Sequence, residues 1–307
     1  MNRALPRAAA AVLASVAVVA SFAGTAGPAS ATTRSAAAPS ARPAAVESHA
    51  APAGGYDVLD NLGAVYTLDS SWFGSLLVHN LSAPIVGMAL TPDRQGYWLA
   101  NNQGDVFAFG DAKFLGSLSG LALTRSITAI ASTPSGKGYW LIGGDGGIFA
   151  FGDAGYYGGT GGLMLNKRIV DFAPTPTGKG YWLASRDGGV FAFGDARFYG
   201  SAGRLRLNQP IVAMAPTASG HGYWLVASDG GIFAYGDAPF HGSTGSMRLN
   251  QPIVGMARTP ADNGGYWLAA ADGGVFAFGD APFHGSVAGH TAGTVVQMVA
   301  SGASGPV

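Results

Sequence analysis

The chain repeats itself every 42 residues, and a period of that length restricts it to architectures in which copies of one small unit pack on one another. A Gly-Asp pair recurs at 110/111, 152/153, 194/195, 236/237 and 279/280, and Tyr-Trp-Leu at 97–99, 139–141, 181–183, 223–225 and 266–268. A third series, Ile85, Ile127, Ile169, Ile211, Ile253 and Val295, is spaced by 42 at every step. The one-residue insertion near Asp262-Asn263 is therefore absorbed before Val295.

The fourth copy shows the unit. Ile211-Val212-Ala213-Met214-Ala215, Tyr223-Trp224-Leu225-Val226-Ala227 and Ile232-Phe233-Ala234-Tyr235 read as three strands, and Phe240-His241-Gly242-Ser243 as a weaker fourth. The Asp229-Gly230 step between the second and third suits the positive backbone angles of a tight hairpin. No stretch has helical periodicity. The tryptophans Trp98, Trp140, Trp182, Trp224 and Trp267 are equivalent residues of the second strands. They are expected as wedges between neighbouring sheets, with sugar-stacking platforms as the functional alternative.

The ends of the repeat region decide how the units are counted. It opens with degenerate second, third and fourth pieces, around Tyr56-Asp57-Val58-Leu59, Ala64-Val65-Tyr66-Thr67-Leu68-Asp69 and Trp72-Phe73-Gly74-Ser75. It closes with a lone first piece, Val295-Val296-Gln297-Met298-Val299, which is what the opening unit lacks. The expected fold is all-β, a six-bladed β-propeller of four-stranded blades over 55–301, closed by the C-terminal strand pairing with the N-terminal blade. An open solenoid would instead need polar capping repeats.

Composition fits sheets covered on both faces: 49 Gly, only 17 acidic and 17 basic residues, and 48% apolar. With no Cys, disulfides and thiolate metal sites are excluded. A formal net charge of zero argues against a nucleic-acid partner, which needs a basic field. Arg3 and Arg7 precede an apolar run from Ala8 to about Gly24, and Ala29-Ser30-Ala31 ends the segment. Residues 1–31 read as a secretory signal peptide cleaved after Ala31, 32–54 as a flexible Ala/Pro/Ser linker and 302–307 as a tail. The expected product is a secreted monomer, possessing no membrane span once mature and open to cell-wall association.

Most aspartates belong to repeat positions, where a turn lock is the simplest role. Chemistry in a symmetric ring must come from residues that break the symmetry. The third residue of the first strand reads Gly87, Ala129, Asp171, Ala213, Gly255 and Gln297. Asp171 and Gln297 are thus candidate channel ligands, Asp171 also a candidate acid or base, with the hydrogen bonding of channel water as its simpler role. One rim should gather Arg125, Lys167, Arg168, Arg186, Asp187, Asn101 and Asn102, while Lys137, Lys179, His221 and Arg94 belong to the opposite rim. His241 and His284, near the outer edge, are too far apart to share a metal and read as surface residues. No metal and no cofactor is expected.

The run Gly222-Tyr223-Trp224-Leu225, then Asp229-Gly230-Gly231-Ile232-Phe233-Ala234-Tyr235-Gly236-Asp237-Ala238, resembles the repeats of secreted proteins from high-GC Gram-positive bacteria. The resemblance covers about 55–300. It implies propeller blades, found alone or appended to exported enzymes such as cell-wall hydrolases, and carries no catalytic motif. The function expected is a non-enzymatic, lectin-like binding or scaffold module that holds a cell-surface glycan or extracellular protein through its rim loops. A hydrolase or lyase at the channel mouth and a purely structural envelope protein are the alternatives.

Overall fold

The computed structural model describes residues 54–77, 79, 81–260 and 264–301. The expected signal peptide, the linker up to residue 53, the tail from 302 and the Asp262-Asn263 insertion lie outside the described residues. Among those described, every regular element is a strand, and no helix is long and apolar enough to cross a membrane.

In chain order the strands are β1 (Tyr56–Asp60), β2 (Val65–Leu68), β3 (Ile85–Leu90), β4 (Gly96–Asn101), β5 (Val106–Gly110), β6 (Ile127–Ser132), β7 (Gly138–Gly143), β8 (Ile148–Gly152) and β9 (Ile169–Pro174). They continue as β10 (Gly180–Ser185), β11 (Val190–Gly194), β12 (Ile211–Pro216), β13 (Gly222–Ala227), β14 (Ile232–Gly236), β15 (Ile253–Arg258), β16 (Gly265–Ala270), β17 (Val275–Gly279) and β18 (Val295–Ala300). These form six antiparallel three-stranded sheets, five of them from consecutive strands and the sixth in the order β18-β1-β2. The first strands touch in a cyclic order, β3, β6, β9, β12, β15 and β18, and β18 returns to β3. The arrangement is a propeller-like repeat.

The seam is the pairing of β18 with β1, running from Tyr56 opposite Ala300 to Leu59 opposite Gln297. It brings Val295 and Met298 into one buried cluster with Tyr56, Val58 and Trp267. The chain's two distant pieces thus complete a sheet that neither could form alone, and the apolar residues they contribute are removed from water on both faces.

The sheets have three strands, not the four expected from the sequence. The fourth segment leaves the ladder at a glycine: Gly116 has φ 131°, and a Cβ there would sit 2.7 Å from Phe151 of the next sheet. That angle is outside the strand region and open only to glycine. The segment instead leans on its neighbour, where the Tyr139 hydroxyl donates to Gly116 O (2.5 Å) and accepts from Leu115 N–H (3.2 Å). The same pair of hydrogen bonds is made by Tyr56, Tyr97, Tyr181, Tyr223 and Tyr266. Hydrogen bonding that a fourth strand would have spent within a sheet is spent between sheets.

Every middle strand but β1 carries a fully buried Trp whose ring lies 5.3–6.1 Å from the Tyr of the following sheet, as with Trp98 and Tyr139 (5.5 Å) or Trp267 and Tyr56 (5.3 Å). The indole N–H donates to a carbonyl in the departing fourth segment, Lys113 O for Trp98 and Arg197 O for Trp182. A large apolar body with one satisfied polar atom is what an inter-sheet position requires.

The repeated aspartates hold turns. After the third strand, Asp195 accepts from the Thr175 and Thr177 hydroxyls (2.9 and 2.5 Å), and Asp153 and Asp237 do the same in their copies. In the hairpins, Asp145, Asp229 and Asp272 accept from the N–H two residues on.

Candidate functional site

The first strand of each sheet has only one ladder partner, so its other edge faces the centre of the ring. Pro174 and Pro216 show this chemically: proline lacks an N–H and is tolerated only where no ladder bond is needed. The strands enclose a cavity of about 300 Å³. Its wall includes Val86, Thr128, Val170, Val212, Val254 and Val296, the second residue of every first strand, at or beside the bulge that shifts the register in each copy.

Asp171 and Gln297 both line this cavity, half a ring apart on β9 and β18. Each reaches the next sheet's first strand. Asp171 Oδ2 accepts from Met214 N–H (2.7 Å) while Oδ1 accepts from its own neighbour Phe172 (2.8 Å). Gln297 Oε1 accepts from Met88 N–H (2.5 Å). Both satisfy an inward-facing edge amide that Gly or Ala at the same position could not. Asp171 fronts the cavity half-buried, and burial pushes its pKa up to about 6 against the opposing pull of the two N–H donors.

At the rim formed by the β10–β11 hairpin and the loops entering β9 and β12, the structure brings Lys167, Arg186 and Asp187 to one open cavity of about 630 Å³. Gly203, Leu205, Leu207, Asn208, Gln209 and Pro210 complete it. Arg168 sits beside it, its carbonyl accepting the N–H of Arg186 (3.0 Å). Asp187 is held by the Ser185 hydroxyl (2.5 Å). Arg125 and Asn102 belong to other loops of the same rim and do not line the cavity. Asn101 is wholly buried: its Oδ1 accepts from the Gln103 and Asp105 N–H groups and its Nδ2 donates to Asp105.

No family model and no curated protein matches the chain.

Two features were not legible in the sequence. The first is Asp57. In β1 it occupies the place of the five tryptophans, since Tyr56 makes the hydroxyl bonds of Tyr97 and its kin. Asp57 is buried, accepts from the Ser70 hydroxyl and has its pKa pushed up to about 7 by burial, with the Ser70 bond and Arg94 pulling the other way. The signal was a column of five Trp and one Asp, hidden because the opening unit was read as merely degenerate.

The sign of its effect follows. A carboxyl whose folded pKa lies above its unfolded value favours the folded state when protonated, so that contribution is present below about pH 4 and lost as pH rises through about 7. Asp57→Asn, neutral throughout, should therefore gain stability relative to the parent between pH 5 and pH 8, by roughly 2–4 kcal/mol. Urea midpoints of the two proteins at both pH values check this, and a difference that shrinks as pH rises would contradict it.

The second feature is an exposed aromatic in every copy, Trp72, Phe114, Tyr156, Phe198, Phe240 and Phe283, each more than half exposed. The residue after each one packs inward on a tyrosine, as Tyr157 does on Tyr181 (5.7 Å), which turns its predecessor outward. That inner position also corrects the reading of His241 and His284 as surface residues. His241 lies 5.5 Å from the Tyr266 ring, and His284 lies 5.5 Å from Tyr56 and bonds Asp69 through Nδ1 (2.6 Å).

Proposed function

We propose that this protein is a secreted, non-enzymatic binding module that holds a cell-surface glycan through the rim cavity at Lys167, Arg186 and Asp187. The observation that carries this reading is the convergence of two cations, a carboxylate and the amides of Asn208 and Gln209 with the apolar faces of Leu205 and Leu207 on one open recess. Such a surface suits a hydroxylated or acidic polymer: cations and amides bond its polar groups while leucines cover its apolar faces. A closed six-bladed propeller would present the recess on a rigid frame, so little ordering is lost on binding. The exposed aromatic of each repeat offers further contact area around the circumference.

A hydrolase or lyase centred on Asp171 has less support. Both of its carboxylate oxygens are taken by backbone N–H groups, which positions it as a bracket between strands.

The mature protein, applied to a glycan array and to isolated cell walls, should be retained. Lys167→Ala combined with Arg186→Ala should weaken retention by about 10-fold or more, the loss of charge-assisted hydrogen bonds. No retention of the parent on either surface would leave the structural-envelope reading in place of this one.

A further inference from the structure

The end of the channel opposite that rim carries two arginines that the repeat does not call for. Arg94, in the β3–β4 turn, has φ 61°. The equivalent residues in the next three copies are Gly136, Gly178 and Gly220, at φ 68°, 67° and 71°. That is the left-handed region, which glycine enters freely and an L side chain does not. Strain of this kind points to a role for the side chain that bears it.

Local packing holds the glycine in those three copies. A Cβ on Gly136, Gly178 or Gly220 would come within 2.7–2.8 Å of Pro92, Pro134 or Pro176 of the preceding sheet. Arg258, at the end of β15, stands where two other copies have Pro174 and Pro216.

Both side chains line the channel cavity, on either side of the end of β18. Arg94 Nη1 donates to Ala300 O (3.0 Å), and Arg258 Nη1 to Thr259 O (2.9 Å) and Pro260 O (3.0 Å). These are neutral acceptors, and among the described residues neither arginine makes a salt bridge. Each guanidinium has further N–H donors than these bonds use. Burial lowers the pKa of both; at Arg94 repulsion from Arg258 adds to the lowering and the carboxyl of Asp57 opposes it. Two half-buried like charges are held at a cavity mouth and hydrogen-bonded to neutral carbonyls, at a backbone cost that the copies with Gly136, Gly178 and Gly220 avoid.

We propose that this mouth binds an oxyanion, a carboxylate, phosphate or sulfate group, between the guanidinium groups of Arg94 and Arg258. A planar fork of donors on each side matches such a group, and its charge offsets the repulsion between them. The oxyanion belongs either to a free inorganic ion or to the acidic group of a saccharide entering the channel.

The mature protein is titrated by calorimetry with inorganic phosphate, with sulfate and with a uronic-acid oligosaccharide, at constant ionic strength. Saturable one-site binding of at least one of them is expected. Arg94→Gly and Arg258→Ala should each raise Kd about 10- to 100-fold. Arg94→Gly should also unfold at the parent's temperature or above it, because it restores the glycine that three other copies use at this φ. Lys113→Ala, which removes an exposed charge away from both sites, should bind as the parent does. Tighter binding of the oligosaccharide identifies the acidic-saccharide source, and binding of the inorganic ions alone the free-ion source; either supports the site. The proposal is overturned if none of the three binds, or if binding survives unchanged in both arginine variants. It does not depend on the rim cavity, so failure of glycan retention there leaves it standing.

Discussion

A chain ending at Thr294 should lose its cooperative unfolding transition and associate through β1. Without β18, the five-residue strand β1, buried along its whole length, becomes an open apolar edge. Val295 and Met298 leave the core cluster they share with Tyr56 and Trp267. Burial of two such side chains is worth about 1.5–3 kcal/mol each. With the lost ladder bonds and the uncovered neighbours, the total reaches roughly 5 kcal/mol, the scale of a domain's whole margin. Thermal unfolding and size-exclusion chromatography of the truncated and full chains check this. A synthetic 291–307 peptide added in trans should restore the transition, because β18 acts through pairing and burial that need no covalent connection. An unchanged melting temperature after truncation would mean that the seam is not what holds the first sheet.

Trp182→Ala should cost about 3–5 kcal/mol, the range for removing a large aromatic from a packed interior. The indole has no exposed surface, its ring lies 5.7 Å from Tyr223 of the next sheet, and its N–H donates to Arg197 O (2.7 Å). The substitution therefore opens a void between two sheets and strands a carbonyl in the departing fourth segment. Trp72→Ala is the internal comparison. That ring is 53% exposed, and its loss should cost about 1 kcal/mol or less. Urea unfolding of the two variants should separate them widely; equal losses would show that burial between sheets is not the source of the tryptophans' value.

The period of 42 residues made the number of sheets, their three main strands and the seam legible, because hairpin turns and strand alternation are local and each copy restates them. The displaced final strand at Val295 was readable for the same reason: counting copies of a motif needs no knowledge of where its neighbours lie. The fourth segment was not readable. Its residues look extended, and only the approach of Phe151 to Gly116 and the hydroxyl of Tyr139 decide that it leans on the next sheet instead of joining its own.

Asymmetric residues divide in the same way. Asp171, Gln297, Lys167 and Arg186 could be picked out by their departure from the repeat, but not what each would touch. Folding gave Asp171 and Gln297 backbone amides on the next sheet, and brought Lys167 and Arg186 to a shared recess. Asp57 and Arg94 mattered only once superposed copies showed a tryptophan and a glycine in their places. The sequence by itself determined the repeating unit and the closure of the first sheet, since both follow from local pattern and from counting. Tertiary structure alone decided which unrepeated side chains meet, since those contacts join residues far apart along the chain, as between Arg94 and Ala300, 206 residues apart, and depend on the gaps that packing leaves.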